Sequence, residues 1–234
     1  MEFGSLEPGA IISYHRMCTE EHEVRLQRGM NFRLDPRYSV VLMNRREAGP
    51  YADGVEAEGA PLIYEGHDTV RRRGGPDPAS VDQPLEYASG RPTQNKLFRD
   101  ATVAYREGEA DAEPVKVYEK LFRGTWVFNG VFRLTDCRSE ERDGRSVLKF
   151  QLEPVREGAS PAQPTLRERS RMIPSSVKRE VWERDRGRCV ICEETDELHF
   201  DHDIPYSAGG SSVTAENIRI LCARHNLEKS DRIE

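Results

Sequence analysis

Residues 189–229 read CVICEETDELHFDHDIPYSAGGSSVTAENIRILCARHNLEK, and this stretch decides how the C-terminal part of the chain folds. Cys189 and Cys192 form a Cys-x-x-Cys pair on a predicted tight turn, and Cys222 and His225 lie three apart in the second half. Two such pairs make a four-ligand set, and closed tetrahedral Cys/His sites are structural zinc. A segment of about forty residues is too short to bury a useful core, so a metal staple is expected. Two buried free thiols are the alternative for Cys189 and Cys192 alone, and the second pair at the right distance favours zinc. Asp201 and His202 fall in a strand-like run, LHFDHDIP, followed by a Ser/Gly-rich loop. A neutral imidazole is a base near pH 7, so His202 is the candidate to activate a water. A carboxylate and an amide oxygen suit a hard divalent ion such as Mg2+ or Mn2+, which selects Asp201 and Asn226.

In every element this stretch resembles the HNH nucleases, the ββα-metal finger. The shared features are the Cys-x-x-Cys pair, Asp-His ahead of Ile-Pro, Asn217 at a polar turn-to-helix junction, and the Cys-x-x-His-Asn-x-x-Lys tail. The resemblance implies phosphodiester hydrolysis, which needs an activated water, a Lewis acid on the phosphoryl oxygens and charge neutralisation at the leaving oxygen. It also implies that Asn217 orients the loop carrying the catalytic His202, and that the residue after the last zinc ligand helps hold the catalytic metal. That residue is Asn226 here, where many members have His, and His225 stands where Cys is commoner. Taken singly, Asp-His is an ordinary surface pair and Asn217 a helix-start residue; their common spacing carries the reading. His199, two residues before Asp201, is expected on the opposite strand face, in a structural or substrate-facing role.

The 234 residues leave room for one large domain or two modest ones. With 32% charged and 36% hydrophobic residues, the composition is that of a soluble polar protein. No apolar run approaches membrane-spanning length and no secretory h-region opens the chain, so no membrane partner is expected. Three of five cysteines go to zinc, leaving Cys18 and Cys137, which fits a reducing bacterial cytoplasm better than a disulfide framework. The net charge of -6 does not by itself mark a nucleic-acid binder. Its distribution matters more: residues 166–188 carry eight Lys/Arg against four Asp/Glu. Arg71, Arg72 and Arg73 form a second basic cluster, which reads equally as a DNA contact or a solvated face.

Residues 1–155 read as one unit and 171–234 as another. Between them, 156–170 have the Pro, Ala, Gly and Ser content of a linker. RMIPSSVKREVWERDRGR predicts a short amphipathic helix leading into the finger, with Val177 and Val181 four apart. The N-terminal unit is mostly β. Strands are predicted at 38–43, 61–66, 115–122, 126–136 and 146–154, with a turn at ERDGRS. Helices are predicted over EEHEVRLQRG to Phe32 and over 93–108. The loop at 66–84 is long for a compact domain, and long ordered loops are usually functional.

The segment RYSVVLMNRREAGPYADGVEAEGAPLIYEGHD resembles the heart of an SRA domain, the modified-cytosine reader. The shared features are a strand ending YSVVL, Tyr-x-Asp before an acidic Gly turn, and a strand ending Tyr-x-Gly. Asn95 to Phe98 and the Phe128–Asn129–Gly130–Val131–Phe132 run extend the likeness to Val155. It implies a twisted β-barrel with flanking helices, a DNA partner and base flipping, in which aromatic rings sandwich the extruded base and an acceptor reads the cytosine amine. Tyr51 and Tyr64 match the stacking positions. Asp53 is the available carboxylate, with Gly54 competing for its column. Glu65 and His67 stand where the family lines its pocket, and Asn95 is a DNA-contact candidate. Apart from the resemblance, Tyr51 and Tyr64 are ordinary strand aromatics.

The expectation is therefore an α+β chain in which an SRA-like reader precedes a zinc-stapled HNH domain, the build of modification-dependent restriction endonucleases. The DNA would be a duplex carrying 5-methylcytosine or 5-hydroxymethylcytosine. One finger holds one site, so a double-strand break predicts a homodimer. The linker predicts a loosely defined cut distance. Two rivals from other classes are a non-cleaving reader of modified DNA and an HNH nuclease whose first domain recognises unmodified nucleic acid.

Overall fold

The computed structural model describes residues 6–44, 61–71, 73–155, 172–204 and 210–229. Within them nine strands belong to one sheet: β1 (Ala10–Ser13), β2 (Met30–Asp35), β3 (Tyr38–Met43), β4 (Leu62–Glu65), β5 (Glu113–Phe122), β6 (Thr125–Arg142), β7 (Arg145–Pro154), β8 (Leu198–His202) and β9 (Ile218–Cys222). Four α-helices accompany it: α1 (Tyr14–Glu20), α2 (Gln94–Arg106), α3 (Ser175–Arg184) and α4 (Ala223–Lys229). The order is β2-β3-β5-β6-β1-β8-β9, with β7 on the far stretch of β6 and β4 outside β7. Only β3 and β5 run parallel. The architecture is α+β, and the described strands form a branched open sheet where a closed barrel was expected. Strand β6 causes the branching: its first residues pair with β1, the stretch from Phe132 to Arg142 pairs with β7, and bulges interrupt its ladders.

The predicted strands all form, and β6 runs further than expected. Its polar extension DCRSEER pairs with β7 up to a two-residue turn, Asp143–Gly144, with φ of 53° and 75°. Left-handed conformation at both residues is what a type I′ hairpin needs, and Asp-Gly supplies it at little strain. Helix α2 starts where Thr93 Oγ1 accepts from Lys96 N. It drives Phe98 edge-on between Phe32 and Phe150, with ring centroids 5.5 and 5.9 Å away.

The expected helix over 20–32 is not there. The helix lies earlier, over Tyr14–Glu20, where Ser13 caps it and Met17 and Cys18 face the core. After it the buried Glu21 accepts from Tyr118 and Lys116, His22 turns to φ 54°, and Met30 already opens β2.

The two units are in contact. Strand β1 lies between them, pairing with β6 through Ile11↔Val127 and with β8 through Ala10↔His199. One apolar cluster takes Ile11, Leu121 and Val127 from the N-terminal unit, Val177 and Val181 from α3, and Leu198, Phe200 and Ile220 from the finger. Among the described residues no helix is long and apolar enough to cross a membrane.

Candidate functional site

The finger is a β8–β9 hairpin followed by α4, with the Cys-x-x-Cys turn beside it. Val190 N donates to the Ile220 carbonyl at 3.0 Å, anchoring that turn on β9. Cys222 ends β9 and His225 sits one helical turn into α4, so both pairs converge. The ligand atoms of Cys189, Cys192, Cys222 and His225 all lie within 4.8 Å of one another. Cys192 Sγ and Cys222 Sγ are 3.8 Å apart, and His225 Nδ1 is 3.4 and 3.3 Å from Cys189 Sγ and Cys222 Sγ. Zn–S bonds of about 2.3 Å in a tetrahedron put sulfurs roughly 3.8 Å apart, so the set fits zinc. Burial pushes the Cys189 thiol up, but hydrogen bonds from the backbones of Cys222, Cys192 and Ile191 outweigh it and bring the thiol to about 6. A thiolate is the form that ligates metal.

Asp201 and His202 are the last two residues of β8, facing Arg219 and Ile218 of β9. His202 Nε2 and Ser212 Oγ are 2.8 Å apart, and Ser212 is fully buried. Asn217 ties together the chain on both sides of the segment after His202. Its Oδ1 accepts from Ile204 N (2.8 Å), and its Nδ2 donates to the carbonyls of Ile204 (3.1 Å) and Ser211 (2.9 Å). Gly210 permits that closure, because a Cβ there would meet the Ile204 carbonyl oxygen at 1.8 Å.

Sequence reasoning quoted Lys229 but gave it no role. Its buried ammonium donates to the Asp201 carboxylate and to the His202 carbonyl, pinning the end of β8 to α4. Asn226 lies three residues before Lys229, so the two positions share a face of α4. Among the described residues Asp201 Oδ1 has no hydrogen bond, Oδ2 being taken by Lys229. One carboxylate oxygen and one amide oxygen on facing elements are a donor set that fits a hard divalent ion.

His199 shares the Asp201 face, contrary to expectation. Strand side chains repeat every two residues, so Leu198 and Phe200 enter the core while His199 and Asp201 point the other way. Burial pushes the His199 imidazole below its usual range, against the pull of Glu197 and Asp201.

In the N-terminal unit, Tyr51, Asp53 and Arg72 lie outside the described residues. Tyr64 is 2% exposed and packs with Met30 and Val41, its hydroxyl 2.9 Å from His67 Nε2. Burial pushes the His67 imidazole below its usual range, against the pull of Asp68, so it is neutral at pH 7. Glu65, the next residue along β4, is fully buried and paired with Lys149 (2.7 Å) and Arg142 (2.8 Å). Its carboxylate is thus an internal counter-ion. Asn95 is 1% exposed, and its amide faces the 66–84 loop: Oδ1 accepts from His67 N and Nδ2 donates to the His67 carbonyl, both at 2.8 Å. Gln83, unremarked in the sequence, joins Gly66 to Leu148 across the same loop. Arg71 and Arg73 are exposed, and Arg71 reaches Asp77 at 3.4 Å. The loop and the start of α2 enclose a cavity of about 430 Å³, with His67, Asp68, Thr69, Tyr87 and Asn95 in its wall.

The sequence at 189–232 matches the family model described as HNH endonuclease. No curated protein sequence matches the chain significantly. Solved structures resemble it at low identity. The SUVH5 SRA domain in complex with methylated CHH DNA is 17% identical, covers 69% of this chain and 96% of its own length, and has a TM-score of 0.45. The modification-dependent TagI restriction endonuclease is 16% identical, covering 96% of this chain and 77% of its own, with a TM-score of 0.42. The Type IV phosphorothioation-dependent restriction endonuclease ScoMcrA is 15% identical, covering 97% of this chain and 52% of its own, with a TM-score of 0.43. The family match coincides with the Cys/His cluster, the Asp201–His202 strand end and α4, and it identifies residues 189–232 as an HNH endonuclease domain.

Proposed function

We propose that this chain is a modification-dependent DNA endonuclease of the bacterial cytoplasm. It would take a flipped 5-methylcytosine or 5-hydroxymethylcytosine into the N-terminal unit and hydrolyse a phosphodiester with the HNH domain. The carrying observation is the cavity of about 430 Å³ beside the Tyr64–His67 pair, in a chain that also bears an HNH domain. That volume holds a pyrimidine, and pockets that read extruded bases combine aromatic faces with a few oriented polar groups. Neutral His67 and the Asp68 carboxylate supply polar groups in the cavity wall. Tyr64, matching a stacking position, is buried, so stacking on it requires DNA to displace what covers the ring. By the SRA resemblance, Tyr51 would stack on the base and Asp53 would accept from its amine. Arg71, Arg72 and Arg73 would meet phosphates, and Asn95 would shape the pocket by holding the loop at His67.

In the HNH domain Cys189, Cys192, Cys222 and His225 hold structural zinc, and Asp201 with Asn226 would hold a divalent ion such as Mg2+ or Mn2+. That ion, when bound, supplies Lewis-acid stabilisation of the phosphoryl oxygens. His202 takes the proton of the attacking water, its ring oriented by Ser212. Asn217 holds the segment beside His202, and Lys229 fixes the strand end that presents Asp201. The products are a 3′-hydroxyl and a 5′-phosphate. One chain carries one such site, so a double-strand break takes two copies. The test is cleavage of one plasmid prepared with and without cytosine methylation, in Mg2+ or Mn2+. Cutting confined to the methylated form supports the reading, and equal cutting of both refutes it.

A further inference from the structure

We propose that the reader unit and the HNH domain act as one rigid body, so that the distance from mark to cut is set by their docking and pinned by Lys178. The inference rests on the function proposed above and concerns where the scission falls. A free tether of fifteen Gly/Ser/Pro/Ala-rich residues wanders over roughly 20 Å. At 3.4 Å per base pair that scatters a cut over about six positions.

The contacts point the other way. The β1 ladder is continuous from β6 to β8, and Gly9 alone bridges Phe128 and Phe200 through its N–H (2.8 Å) and carbonyl (3.1 Å). Trp182 of α3 packs on Phe122 of β5, ring centroids 6.0 Å apart. Lys178 is the pin. It lies on α3, beyond the linker, yet its ammonium reaches Glu119 Oε2 of β5 at 2.6 Å and Asn129 Oδ1 of β6 at 2.7 Å. Asn129 Nδ2 closes the triangle onto Glu119 Oε2 at 3.2 Å. Both charged side chains are 3% exposed. A buried pair tolerates little displacement, since each charge loses its opposite charge when the other moves. Lys178, Glu119 and Asn129 touch neither the Asp201–His202 strand end nor the cavity. Theirs is a positioning role.

The experiment lengthens the 156–170 segment by ten Gly/Ser residues and maps cut positions on a duplex bearing one modified cytosine. The expected result is a sharp cut at the wild-type offset, within about one base pair. Cuts that shift or spread with the insertion overturn the proposal. In Lys178→Ala the cuts are expected to spread over several positions; a lower yield at an unmoved position would make Lys178 merely structural and overturn its assignment as the pin. Amide exchange gives a readout independent of cleavage. The Phe200 N–H stays protected in the insertion variant if the docking holds, and loss of that protection refutes the rigid body. If no duplex is cut in a modification-dependent way, the functional reading fails while the exchange result still decides the docking.

Discussion

At the scale of single residues, the finger's chemistry was legible where it is local. A turn and a helix each present two donors to one point, so the Cys189, Cys192, Cys222 and His225 cluster could be read from spacing. Lys229 and Ser212 could not, because a lysine's burial depends on which strand end α4 packs against. Asn95 likewise matched a motif, but the clamp of its amide on the His67 backbone depends on how the 66–84 loop lies over α2. Two outcomes follow for variants. His202→Ala should keep zinc and modified-DNA binding while cleavage falls by about 10²–10⁴-fold, the usual contribution of a general base, measured by single-turnover nicking. Asn217→Ala removes three side-chain hydrogen bonds. At about 1 kcal/mol each the loss is up to roughly 3 kcal/mol, and denaturant titration alongside cleavage should show both stability and rate reduced.

At the scale of elements, alternation of β-branched and aromatic residues sufficed for β3 to β7, whereas the helix expected near residues 20–32 is absent because the chain turns left-handed at His22 and Met30 belongs to β2. The seam between units was invisible because β1 is only four residues long and its two partners lie more than a hundred residues away. The Lys178–Glu119 contact gives that seam a pH dependence. Burial raises the Glu119 carboxyl, but the Lys178 ammonium, with hydrogen bonds from Ser175 and Asn129, outweighs it and holds the carboxyl below its usual range. The unfolded chain therefore binds the proton more readily. Stability from this pair is fully present above the ordinary carboxylate range and is lost as pH falls below it. Glu119→Gln should flatten that acid limb in melting curves taken across pH. Lys178→Met, which strands a buried carboxylate, should reduce stability by about 3–5 kcal/mol.

At the scale of the whole molecule, a shared core makes zinc a constraint on more than the finger. Cys189, Cys222 and Ile220 pack with Ile11 and Val127, so chelation should lower the melting temperature of the entire chain rather than release a separate low-temperature transition. Calorimetry with and without chelator checks this. On the proposed function each chain brings one HNH centre, so light scattering in the presence of modified duplex should report two chains per DNA; a persistent monomer that still makes double-strand breaks would contradict the pairing.

The most direct measurement is single-turnover cleavage of a linear duplex with one 5-methylcytosine or 5-hydroxymethylcytosine, run beside the identical unmodified duplex with a divalent ion. The account predicts scission only of a modified duplex, slowed about 10²–10⁴-fold by His202→Ala. Equal scission of modified and unmodified strands, or none of either with zinc in place, would contradict it.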